Sequence, residues 1–350
     1  MDLNKYFAGG FEKRQKPAQF FTNLCKPVHV LEGVVKFDKR DVLPLISVNV
    51  QSGTGGRYHD LDAFESLEYE IPDYNDCSKL RENFFKKRSF GQHEYASKVV
   101  SVVDKITRDQ AILSEWQRNT QEKQVVDVLL TGKIQLINGD KIDYKKKESH
   151  NIAASAKYSS TGGKPLSDVE KAIQVIIDDG KPATTDFHYI MNSSDINDFI
   201  LNDQVQKAAR KLEGIDLVSI GMPPEKTLIS APRGKFSTGG CNVYLWGINT
   251  KYRIPIGFGF AGEGTEQFFL PKGKSVVIPA NPQFTMYYGG LIPCAPDMDP
   301  LGMEPQKAEQ LAYQYKVCED GCNTIVYGVK TAPLFVPENG DDYASIEGIS

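Results

Sequence analysis

Gly257-Phe258-Gly259-Phe260-Ala261-Gly262 spells Gly-x-Gly-x-x-Gly, the pattern of a dinucleotide site. In that motif a strand leads in and a helix opens inside it, so that backbone N–H groups and the helix dipole meet a pyrophosphate. Here Glu263-Gly264-Thr265-Glu266 follows, and then an apolar run that ends at Pro271-Lys272-Gly273. No helix start is spelled, and three close glycines in a chain with 30 of them read as a flexible loop. Ser160-Thr161-Gly162-Gly163-Lys164-Pro165 shares only its Gly-Lys pair with a phosphate loop. Its first glycine is missing, and Pro165 stands where a hydroxyl would hold magnesium, so it reads as a linker.

Metal and nucleophile patterns are equally thin. The five histidines (His29, His59, His93, His150, His188) are dispersed, with no i, i+4 pair. His188, in an apolar strand, reads as a satisfied core or edge residue. Cys318 and Cys322 are four apart with no histidine downstream, and a zinc site would need two ligands from elsewhere. The six cysteines read as reduced thiols. The carboxylates Asp76, Glu82, Asp297 and Asp299 read as turns and caps. No nucleophile elbow is spelled. The residues therefore predict no catalytic set, no cofactor and no metal.

Stepping outward, 350 residues exceed one hydrophobic core, so two or more core-bearing units are expected. The chain is 40% hydrophobic and 25% charged, with a net charge of −4, as in an ordinary folded protein. The basic runs Lys86-Lys87-Arg88 and Lys145-Lys146-Lys147 are too short for a duplex-binding stripe, so contact with DNA is expected to be weak and non-specific. Met1–Lys5 lacks a signal-peptide core, and no run is long enough to span a membrane.

Residues 1–40 read as an arm with a local anchor at Phe20-Phe21 and a partly alternating strand from Val28 to Phe37. Leu43–Val50 and Arg57–Ile71 read as two extended segments joined at Ser52–Gly56. A long helix follows, with Trp116, Val125 and Leu129 on its expected buried stripe. Thr107 with Gln110 marks a possible restart, and Gly132 marks the stop. From Arg108 to Thr131 it would rise about 36 Å. Asn138-Gly139 between Ile134 and Ile142 predicts a hairpin. A domain boundary is expected at 148–166. Ser167 with Glu170 predicts a helix to about Asp178, and Ser193 or Ser194 the next, to about Leu201. A third helix is expected over Gln204–Leu212. Strands are expected at 187–191, 241–248, 252–257, 267–270, 275–279, 284–288, 324–329 and 343–346.

In order along the chain stand Phe20-Phe21, the glycine tip Ser52–Gly56, Tyr69–Pro72 and Leu130-Thr131-Gly132-Lys133. After these come the hairpin, Phe269-Leu270-Pro271, Tyr288-Gly289 and Thr331-Ala332-Pro333-Leu334 with Asp341-Asp342 beyond. This series resembles the lambda-type major capsid proteins of tailed phages, the capsid E family. The resemblance implies an α+β chain with the Hong Kong 97-type capsid fold. It implies an arm (1–40), an extended loop (41–72) and a peripheral domain with spine helix and hairpin (73–150). An axial domain (151–320) and C-terminal strands returning to the peripheral domain (321–350) complete it. It further implies a structural protein, not an enzyme, that self-assembles from hexamers and pentamers into an icosahedral shell around double-stranded DNA. Scaffold, portal and decoration proteins would be partners, and the virion and the host cytoplasm the places. An encapsulin-like compartment shell is the alternative. Expected subunit contacts are Phe20, Phe21, Gly53, Gly55, Gly56 and Arg57, with Gly257, Gly259 and Gly262 near the capsomer axis.

Overall fold

The computed structural model describes residues 19–39, 65–80, 102–136, 141–180, 182, 184–211, 233–254, 264–292, 304–319, 322–338 and 340–350. Helices and strands are numbered in chain order.

The longest element is α1 (Val102–Thr131), 30 residues and about 45 Å. It does not restart at Thr107. Gln110 donates instead to the backbone oxygen of Tyr313 (3.2 Å), and Lys105 pairs with Asp109 across that turn. Ile106 is buried against Leu80 and Tyr327, so packing holds the helix continuous. The buried face also differs from the expected stripe. Val125 and Leu129 are fully buried, but Trp116 is 53% exposed. The face that turns inward runs through Leu113, Gln117, Gln121, Gln124 and Val125, three of the five polar. An apolar template alone could not find that phase. The helix stops at Gly132, whose φ of +73° suits glycine. An added Cβ there would collide with the Lys146 side chain.

The largest sheet has the order β7-β18-β13-β8-β10-β9. Its strands are Asn151–Ala153, Ala344–Glu347, Lys274–Pro279, Asp186–Asn192, Cys241–Ile248 and Gly234–Thr238. Strand alternation gives it two buried faces. Tyr189, Met191, Val277 and Ile346 pack with the helices α2 (Pro165–Gly180), α3 (Ser193–Leu201) and α4 (Asp203–Lys211). Ile190, Val276 and Ile278 belong to the opposite core, which contains Val125, Leu129 and Leu130 of α1. One sheet thus walls two cores.

Two helix starts correct the sequence reading, and a third is capped in the same way. α2 opens at Pro165, two residues before Ser167, because proline pre-sets the first helical φ and the Lys164 oxygen already accepts from the Asp168 N–H (3.0 Å). Asn192, not Ser193 or Ser194, caps α3, its Oδ1 accepting from the Ser194 N–H at 3.0 Å. Asn202 does the same for α4 through the Gln204 N–H (2.9 Å).

The remaining strands surround α1. β15 (Leu311–Glu319), β16 (Cys322–Thr331) and β4 (Tyr74–Leu80) form an antiparallel sheet against it. β1 (Lys26–His29), β14 (Phe284–Tyr288) and β17 (Pro333–Pro337) form another. Three two-stranded ribbons complete the set. They are β2–β3 (Val34–Lys39, Glu65–Glu70), β5–β6 (Lys133–Gln135, Lys141–Asp143) and β11–β12 (Lys251–Arg253, Glu266–Phe268). β5–β6 is the expected hairpin, with Ile134 opposite Ile142. The final strands β16, β17 and β18 all contact α1, and β18 also joins the six-stranded sheet.

Candidate assembly surfaces

Of the expected contact residues, Phe20 and Phe21 are described. Gly53, Gly55, Gly56, Arg57, Gly257, Gly259 and Gly262 lie outside the described residues. The flanks of the last three are informative. β11 and β12 pair antiparallel with Lys251 opposite Phe268, and the Gly264 N–H donates to the Ile254 oxygen (3.0 Å). The chain enters the glycine stretch from one strand and leaves it into that strand's antiparallel partner, which is not the strand-to-helix setting of a pyrophosphate site.

The amino-terminal segment docks on α1. Phe21 is fully buried, and its ring meets that of Phe20 edge-on at 5.2 Å. Phe20 in turn packs on Trp246 of β10 at 5.1 Å. A 3-10 turn, Thr22–Leu24, follows. Glu122 of α1 receives this turn. Its Oε1 accepts from the Phe21 N–H (3.0 Å), and its Oε2 accepts from the Thr22 N–H (2.9 Å) and the Thr22 hydroxyl. These are orphan donors at the start of a helical turn. Glu122 is 1% exposed, and burial raises its pKa to about 7 against the opposing pull of these hydrogen bonds. The sequence carried the Phe-Phe half of this dock. It gave no sign of the Glu122 half, since a glutamate within Gln121-Glu122-Lys123-Gln124 looks like any solvated helix face.

A second joint lies about two turns further on, at the C-terminus of α1. The Lys146 ammonium donates to the oxygens of Leu129 (3.0 Å) and Leu130 (3.3 Å) and to the Ser345 hydroxyl (2.8 Å), over the Tyr343 ring. A cation belongs at a helix C-terminus. Burial nevertheless lowers its pKa to about 7.

The clusters that could do chemistry are structural pins. Buried His150 places Nδ1 at 2.8 Å from the Tyr343 oxygen and Nε2 at 3.0 Å from Asp179, tying α2 to the turn before β18. The His150 hydrogen bond and the nearby Lys147 hold Asp179 below the usual carboxylate range. Among the described residues no nucleophile is bonded to the pair. His188 accepts from the Trp246 indole N–H at 3.0 Å, a satisfied residue of β8 as expected. Among the described residues no three His, Cys, Asp or Glu side chains converge to hold a metal, and no helix is long and apolar enough to cross a membrane.

The ribbon β2–β3 is buried on one side only. Val35 is buried at its base, while the Lys36–Glu68 pair higher up is 66% and 60% exposed. Leu31, half-exposed, borders a groove of about 460 Å³ that Val30, Val34 and Tyr287 also line. A two-stranded ribbon is marginal alone in water, so this one needs support from elsewhere.

No family model matches the chain, and no curated protein does. Solved structures match by shape. A prophage protein from E. coli CFT073, described as a capsid protein, superposes with a TM-score of 0.61 at 16% identity, over 95% of this chain and 93% of that one. A chain of Mycobacterium phage Bobi gives 0.52 at 10% identity, over 96% and 92%. Both likenesses run almost end to end, so what is shared is the arrangement of the whole chain. The protein has the Hong Kong 97-type capsid fold.

Proposed function

We propose that this chain is the major capsid protein of a tailed bacteriophage, a structural subunit without catalytic activity. The observation that supports it most is the end-to-end likeness to a prophage chain described as a capsid protein. The ribbon β2–β3 supports it physically, because its exposed side gains burial from a neighbouring copy. In this reading residues 1–40 are the arm and residues 41–72 the extended loop, the two joined where β2 of the arm pairs with β3 of the loop. α1 with β4 and β15–β17 makes the peripheral domain. The six-stranded sheet with α2–α4 makes the axial domain, and the Gly257–Gly262 connection meets other copies near the capsomer axis. Phe20 and the tip residues Gly53, Gly55, Gly56 and Arg57 contribute subunit contacts, whereas Phe21, expected among them, is buried in its own subunit and anchors the arm there. The partners are further copies in hexamers and pentamers. Scaffold, portal and decoration proteins join them, and packaged DNA touches the inner surface weakly. Assembly takes place in the host cytoplasm, and the product is the virion head.

Sedimentation velocity tests the reading. The full chain is expected to sediment as large closed particles, whereas a variant lacking residues 50–60 stays a soluble subunit. Normal particles from the deletion would remove the extended loop from assembly.

A further inference from the structure

Glu122 has no role in the shell reading, yet it is the most deeply buried carboxyl group in contact with the amino-terminal segment. Its hydrogen bonds come from one turn, the backbone of Phe20, Phe21 and Thr22 and the Thr22 hydroxyl, and among the described residues no cation pairs with it. The same atoms can serve either protonation state. The carboxylate accepts all of these hydrogens. The neutral acid can donate from Oε2 to the Thr22 hydroxyl oxygen while Oε1 keeps the Phe21 N–H. The two states differ in what burial costs them. An ionised carboxyl without a countercharge is expensive to bury, and regaining water relieves that cost.

We propose that Glu122 is a pH-operated latch: its uncharged carboxyl group holds the Phe20–Leu24 turn on α1, and ionisation loosens that turn from the body of the subunit. The inference is independent of the shell reading. The other dock contacts are apolar, Phe20 on Trp246 and Phe21 in the core beside α1, so opening the turn need not unfold either core.

The surrounding titratable groups do not mimic this behaviour. Cys25, in the same turn, and Tyr288 of β14 are pushed far above neutrality by burial and remain uncharged. Arg118, one turn earlier on α1, and Glu309 act on Tyr288 from either side. His188, bonded to Trp246, is held below its ordinary value by burial, so it is already neutral where the latch acts. The latch itself has its midpoint near 7. Because this acid is raised on docking, holding is complete below about 4.5 and is lost as pH rises through about 7.

Amide hydrogen exchange of the intact protein reads the latch. The protection factors of the Phe21 and Thr22 amides, corrected for intrinsic rate, are expected to fall at least tenfold between pH 6 and 8.5 (about 1.4 kcal/mol). In Glu122→Gln they should stay within twofold across the same range. Wild-type protection that does not fall, or an equal fall in the variant, overturns the proposal. A carboxyl ¹³C titration of Glu122 in the wild-type protein decides it even if the variant fails to fold. A midpoint near 7 supports the latch, and one in the ordinary glutamate range overturns it.

Discussion

Helices meet sheets here through two kinds of chemistry: apolar contacts on both faces of the six-stranded sheet, and amides where α1 lies on β4, β15, β16 and β17. On the face of α2–α4 the seal is apolar: Val169, Ile173 and Ile176 of α2 meet Phe187 and Tyr189, and Phe199 sits among the rings of Tyr158, Tyr189 and Phe236. On the other face the last turns of α1 are apolar too, and further up the helix Ile106 and Leu113 are also buried. Upstream, α1 lies on its neighbouring strands through amides. Gln117 donates to the Val329 oxygen, Gln124 to Tyr74 and to the Pro333 oxygen (2.9 and 3.3 Å), and Gln110 to the Tyr313 oxygen. An apolar face gains free energy from area without regard to direction. An amide seam gains little on balance but is costly to leave half-made. The first fixes which elements pack together; the second fixes where one element lies along another.

The largest expected effect falls on the apolar side. Phe199→Ala should cost roughly 3–5 kcal/mol, because a fully buried ring leaves a cavity. Denaturant unfolding measures this, and a loss below 1 kcal/mol would mean that this face does not carry the fold.

Next are two buried ionisable groups against the last third of α1, on the order of 3 kcal/mol for Glu122 and 5 kcal/mol for Lys146. Glu122 is an acid whose folded value is raised to about 7, so its contribution is present below about 4.5 and is lost as pH rises through 7. Lys146 is a base whose folded value is depressed to about 7, so its contribution is present above about 10.5 and is lost as pH falls through 7. Unfolding midpoints followed from pH 4 to 10 should therefore dip near neutrality. Glu122→Gln should flatten the acid limb and Lys146→Met the alkaline limb. The same profile in all three proteins would contradict the burial of both groups.

A smaller effect separates seam from core. Gln117→Leu should cost about 1–3 kcal/mol, since the Val329 oxygen is left buried without its donor. A stabilised variant would show that the amide seam is only an imperfect apolar contact.

The same comparison explains what could be read from the residues. Val125 and Leu129, the Ile134–Ile142 hairpin and the strand at 241–248 stood out because apolar residues recur at the right period. β4 did not. Tyr74, Asp76 and Ser78 point its half-buried side chains toward the amide seam, and Asp76, raised by burial, bonds Gln117. A strand whose inner face is polar has no hydrophobic alternation to detect. β15 and β9 were missed as well. Trp116 was placed inside for the converse reason: as the largest apolar residue on α1 it drew the phase toward itself, while glutamines held the true inner face. The Phe20-Phe21 anchor was legible and its Glu122 receptor was not, because burial of a single carboxylate is decided by tertiary contacts. The glycine-rich tips remained readings of composition.

The smallest effect follows from that correction. Trp116→Ala should change stability by less than about 1 kcal/mol, since the ring is 53% exposed. A loss of several kcal/mol would restore the apolar phase of α1.

The most direct measurement of the central claim is electron microscopy of the purified, full-length chain at assembly concentration. Closed shells of icosahedral symmetry, or capsomer rings on the way to them, are the expected image. A field of compact single subunits at every concentration and ionic strength tried would contradict a shell-forming role and leave only the shared fold.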